Sequence, residues 1–179
     1  IRLQLNATFH QICMSFSQFA MIQLTIGVGS VQNKLSAASL SYSHALAALK
    51  QRIITGTQRI IFYKKPKQIL EVKNIFASTA MHELNTAIEN FDLPQMRKQV
   101  NDIITLAESF QIDDACFYWA LIKEILYFFW STLHRMRLCE EINYEKQYQA
   151  LCEKLDHCTS ISSLRLTFID YLVKQFRQC

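Results

Sequence analysis

The sequence predicts a mainly α protein with a small α/β part, and three observations carry that prediction. Glycine is limited to Gly27, Gly29 and Gly56, and proline to Pro66 and Pro94, so long stretches lack the residues that punctuate helices. After Pro66, apolar residues recur at three- and four-residue spacing, the period of a helix with a buried stripe. Two runs break that period, Ile22–Val28 (IQLTIGV) and Arg59–Tyr63 (RIIFY), both rich in β-branched or aromatic residues. The charged, proline-containing stretch Lys64–Lys67 (KKPK) marks the boundary. It leaves a partial α/β unit over residues 1–65 and an all-helical bundle over 66–179.

Taken in order, Arg2–Ala20 reads as a helix, with Leu3, Leu5, Phe9, Ile12, Phe16 and Phe19 near helical spacing. The first strand ends in a turn at Gly29 and Ser30. A second helix starts around Ser36 and is expected to turn Leu40, Ala45, Leu46, Ala48 and Leu49 onto packed faces. Gly56 follows where a left-handed C-terminal cap is wanted, and the second strand comes next. Further helices are expected at Gln68–Asn90, Leu93–Phe110, Asp114–Arg137, Tyr144–Leu155 and Ser160–Gln178. Asp92 and Gln95 have capping-box spacing, and Pro94 falls in a first turn, where a missing N–H is harmless. Asp113 and Thr159 are the expected N-caps of later helices.

The apolar stretch Ala115–Leu133 holds Lys123 and Glu124 at its centre. Each would cost up to about 2.5–3.5 kcal/mol to insert in a bilayer. Trp119, Ile122, Leu126, Phe129 and Leu133 form one helical stripe, and Tyr118, Leu121, Ile125 and Phe128 form a second. A helix packed on two sides fits this pattern better than a membrane span. A small bundle is expected to leave part of such a helix uncovered, and two strands alone leave open edges. Both features predict that the chain hides surface against a second copy or against a half-domain upstream. A homodimer is expected, with Trp119, Tyr127, Phe128, Phe129 and Trp130 as interface candidates. A rival use of the same helix is a pocket in which Trp119, Tyr127 and Trp130 stack on a small ring. A plain structural spacer is the other alternative.

Composition argues against most chemistry. The chain is 50% hydrophobic with a net charge of +4, short of the basic load of a dedicated nucleic-acid module. No glycine follows Gly56 to form the turn of a helix-turn-helix. Arg135, Arg137 and the lysines at 64, 65 and 67 read as solvated charges. The six cysteines are irregularly spaced, as expected of free thiols in a reducing cytoplasm. Cys152, His157 and Cys158 lie close in sequence but lack the CxxC pair or second histidine of a zinc site. Neither a P-loop, GxSxG, HExxH nor GxGxxG motif occurs. His44 and His134 are expected on helix surfaces. No catalytic residue, metal or cofactor is therefore expected. The first residue is Ile1, so the chain reads as a cut or processed piece.

Thr25–Tyr63 combines the strand TIGVGS, the helix SYSHALAAL, Gly56 and the strand RIIFY. This order resembles the second half of the degenerate GGDEF-like domain of AraC-type response regulators and their membrane-linked relatives. Thr25–Ser30, Ser41, Tyr42, Ala45, Ala48, Leu49 and Gly56 fill the matching positions; His44 stands where Glu is usual and Ala38 where Leu is common. Gly27 and Gly29 permit close backbone approach, and Ala45 and Ala48 are small enough for the helix to lie near the sheet. His82–Ile104 is similar to the helix pair that follows such domains. Cys158–Gln175 is similar to the helix before their helix-turn-helix region, with Ser163 in place of an acid. The resemblance implies a cytoplasmic, non-catalytic segment of a bacterial two-component or membrane-linked transcription regulator. It would pass a signal to a DNA-binding region beyond Cys179. Without a glycine pair the chain cannot form the GG[DE]EF hairpin that cyclic di-GMP synthesis needs.

Overall fold

The computed structural model describes residues 2–16, 24–65, 79–138 and 143–178. The chain divides into two compact units, Ile1–Pro66 and Lys67–Cys179. It is mainly helical with a two-stranded parallel sheet. Parts of the expected first helix (17–20), first strand (22–23) and third helix (68–78) lie outside the described residues. So do Pro66, Lys67, Cys139 and Cys179.

The N-terminal unit begins with helix α1, Arg2–Phe16. Of its helically spaced apolar residues, Leu5, Phe9 and Ile12 are half-buried, and Leu3 and Phe16 are exposed. Strand β1 is Ile26–Val28 and strand β2 is Ile60–Phe62, each shorter than its apolar run. They pair in parallel with Gly27 opposite Ile61. A parallel pair requires a crossover, and helix α2, Ala38–Lys50, supplies it, packing against both strands. A 3₁₀ turn, Leu35–Ala37, leads into α2, and a single helical turn α3, Arg52–Thr55, follows it. Gly56 ends α3 at φ 84°, with its N–H donating to Arg52 O at 2.8 Å.

The approach of α2 to β1 depends on missing side chains. A Cβ on Gly27 would lie 2.3 Å from Ala45 O, and one on Gly29 would lie 2.0 Å from Ser41 O. Both contacts are far inside van der Waals distance. Ala48, on the inner side of α2, is buried. The predicted inward placement of Leu40 and Leu46 is corrected: both are exposed. The sheet-facing side carries Ala45, Ala48 and Leu49, and the Leu49 Cβ would lie 3.1 Å from a Cβ on Gly27.

The second unit contains α4 (Thr79–Glu89), α5 (Leu93–Ser109), α6 (Ala115–Arg135), α7 (Tyr144–Leu155) and α8 (Ile161–Phe176). Helix α4 packs on α5 and α6, α5 packs on α8, and α7 joins α6 to α8. Asp92 caps α5 by accepting from Gln95 N at 2.9 Å, with Pro94 in the first turn. The caps expected at Asp113 and Thr159 fall one residue later. Asp114 accepts from Cys116 N, and Ser160 accepts from Ser163 N. Ser163 Oγ accepts in return from Ser160 N at 3.1 Å, so a serine completes the capping box where an acid was expected. Glycine-free helix ends are built from ordinary residues in the left-handed region: Phe91, Gln111 and Arg137. Asp92 N–H donates to Ala87 O and Leu138 N–H to Leu133 O, closing Schellman motifs after α4 and α6.

Gly27→Ala or Gly29→Ala is expected to destabilise the N-terminal unit by about 1–3 kcal/mol, the usual cost of overpacking. The denaturation midpoint read from the methyl NMR signals of Ile26 and Ile61 should fall. An unchanged midpoint would mean that α2 can stand off the sheet at no cost.

Candidate functional site

Two regions hold the groups that could act. The first lies at the carboxyl ends of β1 and β2. Gly29 turns the chain out of β1 and sets Ser30 facing α2, where Ser30 Oγ is 2.6 Å from His44 Nδ1. Gln32 Nε2 donates to the same hydroxyl at 2.7 Å, and Ser41 Oγ donates to Ser30 O at 2.8 Å. The His44 ring stacks on Tyr63 at 3.9 Å between centroids, with 5° between the planes. His44 thus ties α2 to the ends of both strands, and its expected place on the helix surface is corrected to a half-buried one. Its partner Ser30 lies fourteen residues away, beyond the reach of helical periodicity.

A serine hydroxyl against an imidazole is also the start of a nucleophile–base pair. Such a pair needs a third group to orient the base. Among the described residues no carboxylate hydrogen-bonds His44. Its Nδ1 is taken up by Ser30 and one ring face by Tyr63. An open depression of about 510 Å³ runs beside this cluster, lined by residues 28–35 with Ala38 and Ser41. Among the described residues, Lys34 is its one charged lining residue.

The second region is α6. Twelve of its 21 residues are buried, including three of the five interface candidates: Trp119, Phe129 and Trp130. Phe128 is half-buried, and Tyr127 is 56% exposed. Among these candidates, the part of the helix that stays uncovered is therefore limited to Tyr127 and, partly, Phe128. Phe129 meets Trp130 edge-on at 5.3 Å and lies 6.1 Å from Phe176. With both indoles enclosed, Trp119 and Trp130 offer no face to a stacking ring. Trp130 Nε1 is buried without an acceptor among the described residues. At the surface, Tyr127 leans on Tyr144 at 4.9 Å, and Lys123 Nζ sits 5.0 Å over the Tyr148 ring and 3.9 Å from Glu145.

Polar links hold the helices in register. Arg135 Nη2 donates to Asn85 Oδ1 at 2.8 Å and to Glu89 Oε1 at 2.7 Å, joining α6 to α4. Thr132, itself buried, donates to the same Asn85 oxygen at 3.1 Å. Arg165 on α8 pairs with Glu108 on α5, and Gln99 donates to Glu83 Oε2 at 2.6 Å. Tyr171 donates to Gln147 Oε1 at 2.8 Å, and burial pushes its phenol above the usual tyrosine range. Burial does the same to Tyr118, aided by Glu108, and to Tyr148. These are packed, neutral phenols. Cys158 is buried with its Sγ 3.5 Å from Thr167 Oγ1. Among the described residues no group of three or more His, Cys, Asp or Glu is placed to hold a metal ion. None of the described helices is long and apolar enough to cross a membrane.

No family model, curated protein or solved structure matches this chain.

Phe129→Ala is expected to cost the helical unit about 3–5 kcal/mol, as large aromatic truncations in a core do. Trp130→Ala should fall in the same range. Tyr127→Ala should cost less than about 1 kcal/mol. Urea unfolding of the three variants ranks them, and equal losses at Tyr127 and Phe129 would contradict the burial described here.

Proposed function

We propose that this chain is a non-catalytic regulatory segment of a bacterial AraC-family transcription regulator, working in the cytoplasm as a homodimer. On this reading residues 25–63 are the closing half of a degenerate GGDEF-like domain, and the helical unit is the linker that follows it. Input from an upstream receiver or membrane sensor changes how the modules pack, and that sets the spacing of DNA-reading helices outside this chain. The observation that carries the reading is the use of Gly27 and Gly29. Both are pressed against the backbone of α2, at Ala45 and Ser41, so the positions that carry the family resemblance serve close packing. The Ser30–His44 pair, lacking an orienting acid, is in keeping with a unit whose polar groups hold elements together.

The reading frame that contains this sequence is expected to continue past Cys179 into two homologous helix-turn-helix motifs. It is also expected to carry a GGDEF-like half before Ile1. The chain itself should bind duplex DNA only without sequence preference, and lose that binding at moderate salt, because its basic residues are scattered. A frame lacking both flanking regions, or a promoter-selective footprint by this chain at physiological salt, would overturn the reading.

A further inference from the structure

The outer face of α2 is unusual for a surface helix. From Leu35 to Leu49 the sequence holds no Asp, Glu, Lys or Arg, although 19% of the chain is charged. A solvated helix face ordinarily carries such residues. Here it carries Leu40, Tyr42 and Leu46, which are 48%, 67% and 43% exposed, with Ser39 and Ser43 between them, also exposed. Ser43 Oγ donates to Leu40 O within its own helix at 2.9 Å, so covering this face would strand no Ser43 hydroxyl proton.

We infer that this face is the self-association surface of the protein, and that its occupant is the same face of a second copy. The pattern is self-complementary. An antiparallel pair of α2 helices with a two-fold axis beside Ser43 sets Leu40 of each copy against Leu46 of the other, as an isologous interface requires. The same axis sets Ser39 against Ala47, small residues that let the two backbones approach. No like charges meet along the seam, since Lys34 and Lys50 lie at or beyond the ends of the uncharged run. A 13-residue helix covers less than the roughly 800 Å² per partner of a standard interface, so association belongs in the micromolar range. The inference shares the dimeric part of the proposed function and moves the contact from α6 to α2. It does not depend on the family assignment.

Sedimentation of the full 179-residue chain tests it. A monomer–dimer equilibrium is expected in the micromolar range, and added salt should not weaken it. Leu40→Glu and Leu46→Glu should each raise the dissociation constant at least about tenfold, with circular dichroism unchanged because both side chains are exposed. Phe128→Glu should leave the constant unaltered. Under mild oxidation Ser43→Cys should give a new disulfide-linked dimer, and Glu124→Cys on the helical unit should not. A wild type that stays monomeric throughout would overturn both the inference and the dimeric part of the function. A dimer insensitive to Leu46→Glu but weakened by Phe128→Glu would overturn the inference alone and return the interface to α6.

Discussion

Burial of α6 is the constraint around which the helical unit is arranged. A helix with apolar residues on two adjoining rows needs cover from more than one direction, and its neighbours include α4 and α7. Phe129, Leu121, Ile125 and Leu133 are almost wholly enclosed, each such side chain worth about 1.5–3 kcal/mol relative to exposure. Apolar cover sets no orientation by itself. The Arg135–Asn85–Glu89 contacts supply direction to α4, and the Arg165–Glu108 pair does so to α5.

A different economy governs the N-terminal unit, where very little apolar surface is available. Two three-residue strands cannot form a stable sheet alone. What holds them is the nearness of α2, which the glycines allow and the Ser41 and His44 side chains secure. The inner side of α2, with Ala48 buried and Leu49 against Gly27, is set by this close approach, and Leu40 and Leu46 stand exposed on the outer side. The same geometry that packs the inner face leaves an uncharged outer one.

Much of this was legible from periodicity. The expected helix Tyr144–Leu155 has the observed bounds, and Leu93–Phe110 and Ser160–Gln178 differ at their ends by one or two residues. End residues were harder to read because Asp113 and Asp114, or Thr159 and Ser160, are chemically interchangeable caps, and only the hydrogen bond chooses between them. Leu40 and Leu46 show a deeper limit. Helical spacing identifies a face but not which face meets the sheet, and in α2 Ala45, Ala48 and Leu49 take that place rather than Leu40 and Leu46. Sequence spacing alone puts His44 on the helix surface, because its partners, Ser30 and Tyr63, come from distant positions brought together by the crossover. For α6 the two stripes were visible, yet whether five helices could cover both depends on tertiary packing that spacing does not express.

The central claim, that α6 is the buried axis of the helical unit, is tested most directly by native-state hydrogen exchange. Amides from Leu121 to Leu133 should be the slowest of residues 79–178 and should exchange only with global opening of that unit, whereas those of α7, with two buried residues, should open earlier. Exchange in α6 as fast as in α7 would contradict the account.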